Sequence, residues 1–348
     1  MIKRKGSTYY FIISSLLLIF FITGCSHQNK EELPFAASRL LMDTLITIKV
    51  YNQGDLAAAQ KALDVMAAID ALADRYNQKS DIYRVNLAAG KHSVTVDDET
   101  FELIAEALKY SQLTGGALDI SIGPLVDLWK IAETSDQTVP AATRIAEARQ
   151  LVDYRRIILD EDRRMVFLSL PGASLDLGSV AKGYAVRKAA AALKQEGVST
   201  ALIIAGGNTY TLGKKPDGSL WKIGVQDPFK PEGIIAYVKG EGENLAVDTA
   251  GGYYRYREVN GQRFTHIINP FTGKPASDLE SVTVVSDDPL QSDALATGIF
   301  VLGEVAGTNL AESIPGIGVL MVTKDKKLIL KGDRSDLFEV VSSFRGIF

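Results

Sequence analysis

Nine residues in the middle of the chain, Asp176-Leu177-Gly178-Ser179-Val180-Ala181-Lys182-Gly183-Tyr184, sit where the sequence changes from strand to helix, an arrangement that can hold a phosphorylated ligand. The run before them, Met165 to Leu175, reads as a strand and its turn. Val180 to Leu193 is alanine-rich and helix-prone. A carboxylate, a glycine turn and a lysine are thereby gathered at a helix start, where free backbone N–H groups and the Lys182 cation favour an anion such as phosphate. An ordinary turn with a solvated lysine has the same residues, and the spacing is not that of the glycine-rich phosphate loops. Other segments of the chain decide between the two.

The rest of the chain reads as an α+β fold. Leu40 to Tyr51 is predicted as a strand, and Leu56 to Tyr76 as an amphipathic helix with Leu63, Met66, Ile69, Leu72 and Tyr76 near helical spacing. A second helix is capped by Asp97 or Asp98 and runs to Leu113, where Gly115-Gly116 stops it. Ala141 to Leu151 forms a third, and Ile157 to Asp160 pairs with Met165 to Leu170 as a hairpin. After the helix over Val180 to Lys194, capped by Gly197, the chain is rich in strands. These are Ala201–Ala205, Leu220–Gln226, Ile234–Lys239, Asn244–Asp248, Phe264–Ile268, Val282–Val285, Gly318–Val322 and Lys327–Leu330, interrupted by one helix over Leu290 to Leu302. Strands clustered in this way imply a mixed-sheet core with packed helices, as one large domain or two intimately associated lobes, more than a doubly wound parallel sheet.

The N-terminus concerns location. Lys3, Arg4 and Lys5 precede an apolar run from Phe11 to Ile22, the layout of a secretory signal. The run closes on Ile22-Thr23-Gly24-Cys25, which looks like a bacterial lipobox. On that reading residues 1–24 are a lipoprotein signal peptide, Cys25 becomes the acylated (palmitate-bearing) N-terminus, 25–36 form a tether, and 37–348 are the functional domain. The alternative is a transmembrane anchor with an incidental cysteine, but the run is shorter than the roughly 20 residues a span requires. Ser26 after Cys25 is not an inner-membrane retention aspartate, so the expected location is the cell envelope, on the outer membrane where the cell has one. Cys25 is the only cysteine, which excludes an internal disulfide and a thiolate metal cluster. Removing residues 1–24 takes away three positive charges and no negative one, moving the net charge from −4 to −7. That balance excludes a nucleic-acid partner on charge grounds.

Four further segments carry possible chemistry. Asp293 and Thr297 in Asp293-Ala294-Leu295-Ala296-Thr297 lie four apart, so a helix presents two hard oxygens on one face, the ligand type magnesium prefers. A capping aspartate and a solvated threonine would be the plain reading of the same pair. Ile203-Ile204-Ala205-Gly206-Gly207-Asn208 ends a strand in two glycines, which permits close approach of a ligand or simply a tight turn. Thr265-His266-Ile267-Ile268-Asn269-Pro270 with Thr272-Gly273 is a strand running into a Pro/Gly turn. His27 lies in the tether and His92 in a loop, so no histidine-rich zinc site can be assembled, and His266 is the best-placed group to titrate near neutral pH. Gly116-Ala117-Leu118-Asp119-Ile120-Ser121-Ile122-Gly123-Pro124 is a pocket wall or a core loop.

Together these motifs resemble the FAD:protein FMN transferase family, known as ApbE. Four family patterns are nearly intact: Asp-Leu-Gly-x-x-Ala-Lys-Gly-Tyr at Asp176, Gly-Gly-Asn at Gly206, His-Ile-Ile-Asn-Pro-x-Thr-Gly at His266, and Asp-Ala-Leu-Ala-Thr at Asp293. The resemblance implies FAD contacts at Met42, Tyr76, Ala117, Leu118, Asp119, Asp176, Lys182 and Ile267. It also implies Mg²⁺ held by Asp293, Thr297 and the carbonyl of Ser179. The chain departs from the family at three places. Asp43 stands where a glycine usually follows the methionine, Leu118 replaces a phenylalanine, and Thr249-Ala250-Gly251 replaces Thr-Ser-Gly.

The implied activity is Mg²⁺-dependent transfer of FMN from FAD to a Ser or Thr hydroxyl of an acceptor protein, with AMP released. His266 is the tentative catalytic group, accepting the hydroxyl proton or binding phosphate. The alternatives are an FAD pyrophosphatase giving FMN and AMP, and a non-catalytic flavin-binding lipoprotein.

Overall fold

In chain order the strands of the computed structural model are β1 (Phe35–Leu41), β2 (Thr44–Tyr51), β3 (Val94–Thr95), β4 (Ile157–Asp160), β5 (Met165–Leu168), β6 (Thr200–Ala205), β7 (Asn208–Leu212), β8 (Lys222–Gln226), β9 (Ile234–Lys239), β10 (Asn244–Gly251), β11 (Tyr256–Val259), β12 (Gln262–Thr265), β13 (Ile268–Asn269), β14 (Lys274–Pro275), β15 (Leu279–Ser286), β16 (Gly318–Thr323), β17 (Lys327–Lys331), β18 (Phe338–Val340) and β19 (Arg345–Ile347). The helices are α1 (Leu56–Ala73), α2 (Asp81–Leu87), α3 (Asp98–Leu113), α4 (Gly123–Trp129), α5 (Ala142–Arg149), α6 (Ala181–Gln195) and α7 (Pro289–Ser313). The structure describes residues 33–51, 56–131, 138–230, 232–242, 244–253 and 255–341, together with the backbone of 345–347. Residues 1–24, read as a signal peptide, with Cys25 and most of the expected tether, lie outside the described residues.

Nine strands form one sheet in the order β1-β2-β6-β7-β10-β15-β16-β17-β19, antiparallel apart from the final β17–β19 pair. Period-two alternation divides its two faces. Ile46, Ile48 and Val50 of β2, Ile203 and Ala205 of β6, and Tyr210 and Leu212 of β7 join Leu63, Met66 and Ile69 of α1 and Val186, Ala189 and Leu193 of α6 in one apolar cluster. Farther along the same face, Val282, Val284, Val319 and Met321 meet Leu295, Ile299 and Phe300 of α7. The intervening residues Val247, Val285, Leu320 and Val322 turn to the other face and pack on the small β18-β9-β8 sheet. Each fully buried aliphatic side chain of this kind contributes about 1.5–3 kcal/mol relative to exposure. Residues 33 onward make a single unit. Helix α7 is apolar and long enough to cross a membrane by composition, but Ala294, Leu295, Ile299 and Phe300 are wholly buried in this core, which accounts for its hydropathy.

Several expectations hold closely. Asp97 caps α3, its side chain accepting the Glu99 N–H at 2.9 Å, and Gly115 and Gly116, both at positive φ, end that helix. Others need correction. The strand expected over Leu40–Tyr51 is a hairpin: Met42 and Asp43 both take left-handed backbone, at φ 50° and 56°, and the chain reverses between Leu41 and Thr44. The strand expected over Phe264–Ile268 is broken at His266 and Ile267. The late helix continues past Leu302 through a non-helical Gly303 to Ser313. Helices α2 and α4 and strand β7 were not expected; α2 and α4 span only seven residues each, too short for an amphipathic period to show.

Helices α6 and α7 cross so closely that α6 has no room for a side chain at residue 183. A Cβ on Gly183 would stand 2.3 Å from the Pro289 carbonyl oxygen and 2.7 Å from the Asp293 Cβ. Substituting Gly183→Ala is expected to lower stability by about 1–3 kcal/mol through overpacking, read as a shift of the urea midpoint. An unchanged midpoint would show that the two helices separate there at no cost.

Candidate active site at one end of the large sheet

The start of β2, the β6–β7 turn, the end of β10 and the start of β15 all lie at one end of the sheet, as the registers require. The two glycines of that turn are needed for the strands to converge. A Cβ on Gly206, at φ 63°, would meet Thr44 Oγ1 at 2.9 Å, and one on Gly207 would meet the Thr249 carbonyl at 2.9 Å. Three separated sequence motifs, at Met42-Asp43-Thr44, Gly206-Gly207-Asn208 and Thr249-Ala250-Gly251, are thereby in contact. Asp43 fits where a glycine is usual because aspartate tolerates left-handed backbone better than most residues. Its carbonyl also accepts a bond from Arg255 Nη2 at 2.9 Å.

Against this end lies the start of α6. The Asp176 carboxylate folds back on its own turn, Oδ1 accepting the Gly178 N–H at 2.9 Å. The helix has no capping side chain of its own. Instead Asp293 Oδ2, reaching from α7, accepts the Gly183 N–H at 2.8 Å. The helix start therefore already holds one carboxylate, which modifies the expectation that its N–H groups are all free for phosphate. Tyr184, the last residue of the motif, is structural: it is wholly buried and its hydroxyl donates to Glu99 of α3.

Sequence reasoning missed a second carboxylate beside Asp293. Asp248 lies on β10 between Ala246 and Ala250, and their common face is the one that α6 and α7 cover. It is 1% exposed, and Oδ2 accepts a hydrogen bond from Ser292 Oγ. Burial first, and then repulsion from Asp293, push its pKa well above the usual carboxylate range; the Ser292 bond and Lys182 act the other way. A lone aspartate inside the apolar run Leu245-Ala246-Val247-Asp248 was the available signal.

His266 sits on the bend between β12 and β13. Its backbone N–H and its ring Nδ1 both lie within hydrogen-bond reach of the Arg255 carbonyl, at 3.2 and 3.1 Å. A carbonyl only accepts, so Nδ1 carries the proton and Nε2 keeps its lone pair. The residue is exposed at the bend, and the protein around it desolvates the ring. That desolvation, with the Lys182 and Arg255 charges, outweighs the Arg255 carbonyl bond and lowers its pKa to about 4.

The remaining expected contacts form the rim and wall. Arg75, nearly buried, donates to Asp127 at 2.8 Å, to Asp176 at 3.3 Å and to Ser174 Oγ at 3.3 Å, and its guanidinium lies 5.2 Å from the Tyr76 ring centre. Burial opposes the charge of Arg75, but Asp176 and Asp127 outweigh it and raise its pKa. Tyr76 itself is 70% exposed and Met42 donates its N–H to Asp70 at 3.1 Å. Ala117 and Ile267 share the apolar cluster of α7 with Ala250, and Leu118 is buried beside Gly298. The Asp119 carboxylate is occupied locally, accepting from Ser121 N–H (2.8 Å), Ser121 Oγ (2.6 Å) and Tyr154 N–H (3.0 Å), so it shapes the wall. A shallow depression between α4 and α5, lined by Pro124, Leu128 and Arg144, holds none of the expected FAD or metal contacts.

The residues present fit a hard divalent cation. Asp293 uses one oxygen for Gly183, Thr297 follows one turn later and half-buried, and no group of three or more His, Cys, Asp or Glu side chains is gathered among the described residues. Few protein ligands with the rest of the shell left to water and phosphate is how magnesium is usually held.

Because the folded-state pKa of His266 lies below its ordinary value, the folded protein binds fewer protons than the unfolded chain between about pH 4 and 6.5. The sign is therefore loss of stability as pH falls through that window. In the ligand-free protein the His266 ring signals are expected to titrate near pH 4 by NMR, and a midpoint near 6.5 would show that the ring is not desolvated.

The ApbE family profile matches residues 42–321. A FAD:protein FMN transferase of Klebsiella pneumoniae is 35% identical over 311 residues, covering 89% of this chain and 95% of its own. One from Treponema pallidum is 29% identical over 93% of this chain and 94% of its own. The crystal structure of the ApbE protein of Thermotoga maritima superposes with a TM-score of 0.82 at 30% identity, covering 88% of this chain and all of that one. The flavin transferase ApbE of Vibrio cholerae gives 0.74 at 28%, covering 90% and 98%. With the fold, the site and these relatives in agreement, the chain belongs to the ApbE family.

Proposed function

We propose that this protein transfers FMN from FAD to a Ser or Thr hydroxyl of an acceptor protein, releasing AMP. The observation that carries the reading is the junction of α6 and α7. The Gly183 N–H to Asp293 bond joins the Asp176–Tyr184 motif to the hard-oxygen pair Asp293 and Thr297, while the charge of Lys182 reaches both Asp248 and His266. One small region thus offers a cation for phosphate, oxygen ligands for a metal, and a neutral imidazole.

In the reaction the acceptor oxygen forms a bond to the FMN-side phosphorus of FAD, and the bond from that phosphorus to the bridging oxygen breaks, leaving AMP. Magnesium bound at Asp293, Thr297 and the Ser179 carbonyl would supply charge neutralisation on the pyrophosphate. Lys182 binds phosphate oxygen as a point charge. His266, neutral above about pH 4 and with Nε2 unprotonated, accepts the hydroxyl proton. Tyr76, Leu118 and Ile267 border the ring systems of the flavin nucleotide, and Arg75 holds the Asp176 turn beside them. The names of the relatives support the substrate and the protein acceptor.

With FAD, Mg²⁺ and an acceptor protein, AMP should appear together with a fluorescent acceptor band. Free FMN in place of that band would mean hydrolysis, and no AMP would mean binding alone. Asp293→Asn should abolish both products at limiting Mg²⁺ while the protein remains folded. Full transfer by that variant would remove the metal assignment.

We also propose that the protein acts in the cell envelope, anchored through Cys25; the charged segment Lys3-Arg4-Lys5, the apolar run after it and Ile22-Thr23-Gly24-Cys25 support this. Cys25→Ser should leave the precursor uncleaved and without lipid label. Normal processing of that variant would exclude the lipoprotein reading.

A further inference from the structure

Asp248 is more than the fold requires. Its register places it opposite Asn208 of β7 and Val284 of β15, on the sheet face that α6 and α7 cover. Ser292, the residue before Asp293, donates to Oδ2, but Oδ1 is buried with no hydrogen-bond partner. Directly across the strand pair, Asn208 Nδ2 is buried and also without a partner. A serine needs only a neutral acceptor, so holding Ser292 does not call for a carboxylate. Leaving a carboxylate oxygen and an amide donor both unsatisfied in the interior is costly unless something satisfies them. A hydrated cation satisfies both, offering positive charge to Oδ1 and a water oxygen to Nδ2.

We propose that Asp248 is the second carboxylate of the divalent-cation site, so that the site can load its cation before any phosphate arrives. The inference rests on the metal reading of Asp293 and Thr297 and adds to it. Ligand charge count tunes the affinity of oxygen sites for divalent cations, and a single carboxylate with a hydroxyl and a carbonyl leans on substrate phosphate for charge. A second carboxylate removes that dependence. Lys182, whose field reaches Asp248, balances part of the added negative charge until the cation binds.

The test is Mn²⁺ binding to the full chain in detergent, without FAD, followed by the EPR signal of the free ion. The wild type should bind Mn²⁺ without nucleotide. Asp248→Asn should weaken binding at least about tenfold, the lower range for losing even a supporting partner of a metal site. Its metal-free melting temperature should not fall, because a neutral amide replaces a buried acid whose charged form is disfavoured, while the rise on adding Mn²⁺ should shrink. Ser292→Ala keeps the carboxylate and should retain affinity. If Asp248→Asn binds as the wild type does, or if Ser292→Ala loses as much as Asp248→Asn, the inference is overturned. If Asp248→Asn fails to fold, Asp248→Ser replaces it under the same criteria. Asp293→Asn separates the two readings. Wild-type affinity in that variant would sink the metal site itself, whereas loss there with none in Asp248→Asn sinks only the role of Asp248.

Discussion

One hydrogen bond ties the molecule together at its chemical centre: the Gly183 N–H of α6 donating to Asp293 Oδ2 of α7. It satisfies an early N–H of a helix that lacks a capping side chain of its own, and it fixes the carboxylate that two sequence motifs share. The contact is possible only because residue 183 has no side chain, since the Pro289 carbonyl and the Asp293 Cβ occupy the space a Cβ would take. Packing and chemistry are inseparable here. A change that loosens the helix crossing moves Asp293, and a change that removes the Asp293 side-chain oxygens uncaps α6.

Around that bond two buried carboxylates, Asp248 and Asp293, and the half-buried Lys182 lie in one another's fields. Asp248 and Asp293 repel, Lys182 offsets them, and the same lysine helps keep His266 neutral. Such an arrangement is expensive in the interior, because buried charges without full pairing cost free energy. The large sheet provides the rigid floor, with Asn208 and Asp248 held opposite each other by register. Met42-Asp43, Tyr76 and His266 are on turns and bends.

The departures from the family pattern are absorbed by local structure. Asp43 takes the left-handed conformation of the glycine it replaces and is held by Arg255. Leu118 fills a buried position beside Gly298, and Ala250 lies in the apolar cluster with Ile267, where a serine hydroxyl would have little to bond. None of these changes touches Asp176, Lys182, Asp293 or Thr297.

What the sequence by itself determined was whatever depends on near neighbours in the chain. The Asp97 cap and Gly115-Gly116 stop of α3, the start of α6 after a glycine turn, the hydrophobic period of α1 and the i, i+4 spacing of Asp293 and Thr297 are local, and the structure follows them closely. The order of the motifs was enough to point to the family, because that order is a pattern of residue types and spacings. What only the tertiary structure decided depends on contacts between residues far apart in the chain. The Met42-Asp43 reversal within an apparently continuous strand depends on contacts with Asp70 and Arg255, and the break at His266 on the Arg255 carbonyl. One of the three hydrogen bonds that occupy Asp119 comes from Tyr154, 35 residues away. Asp248 gave almost no local sign of its importance, since an aspartate in a strand acquires a role only when register and a helix from 44 residues later close over it. Long-range packing sets the burial and charge environment of a side chain, and no short window of sequence contains that information.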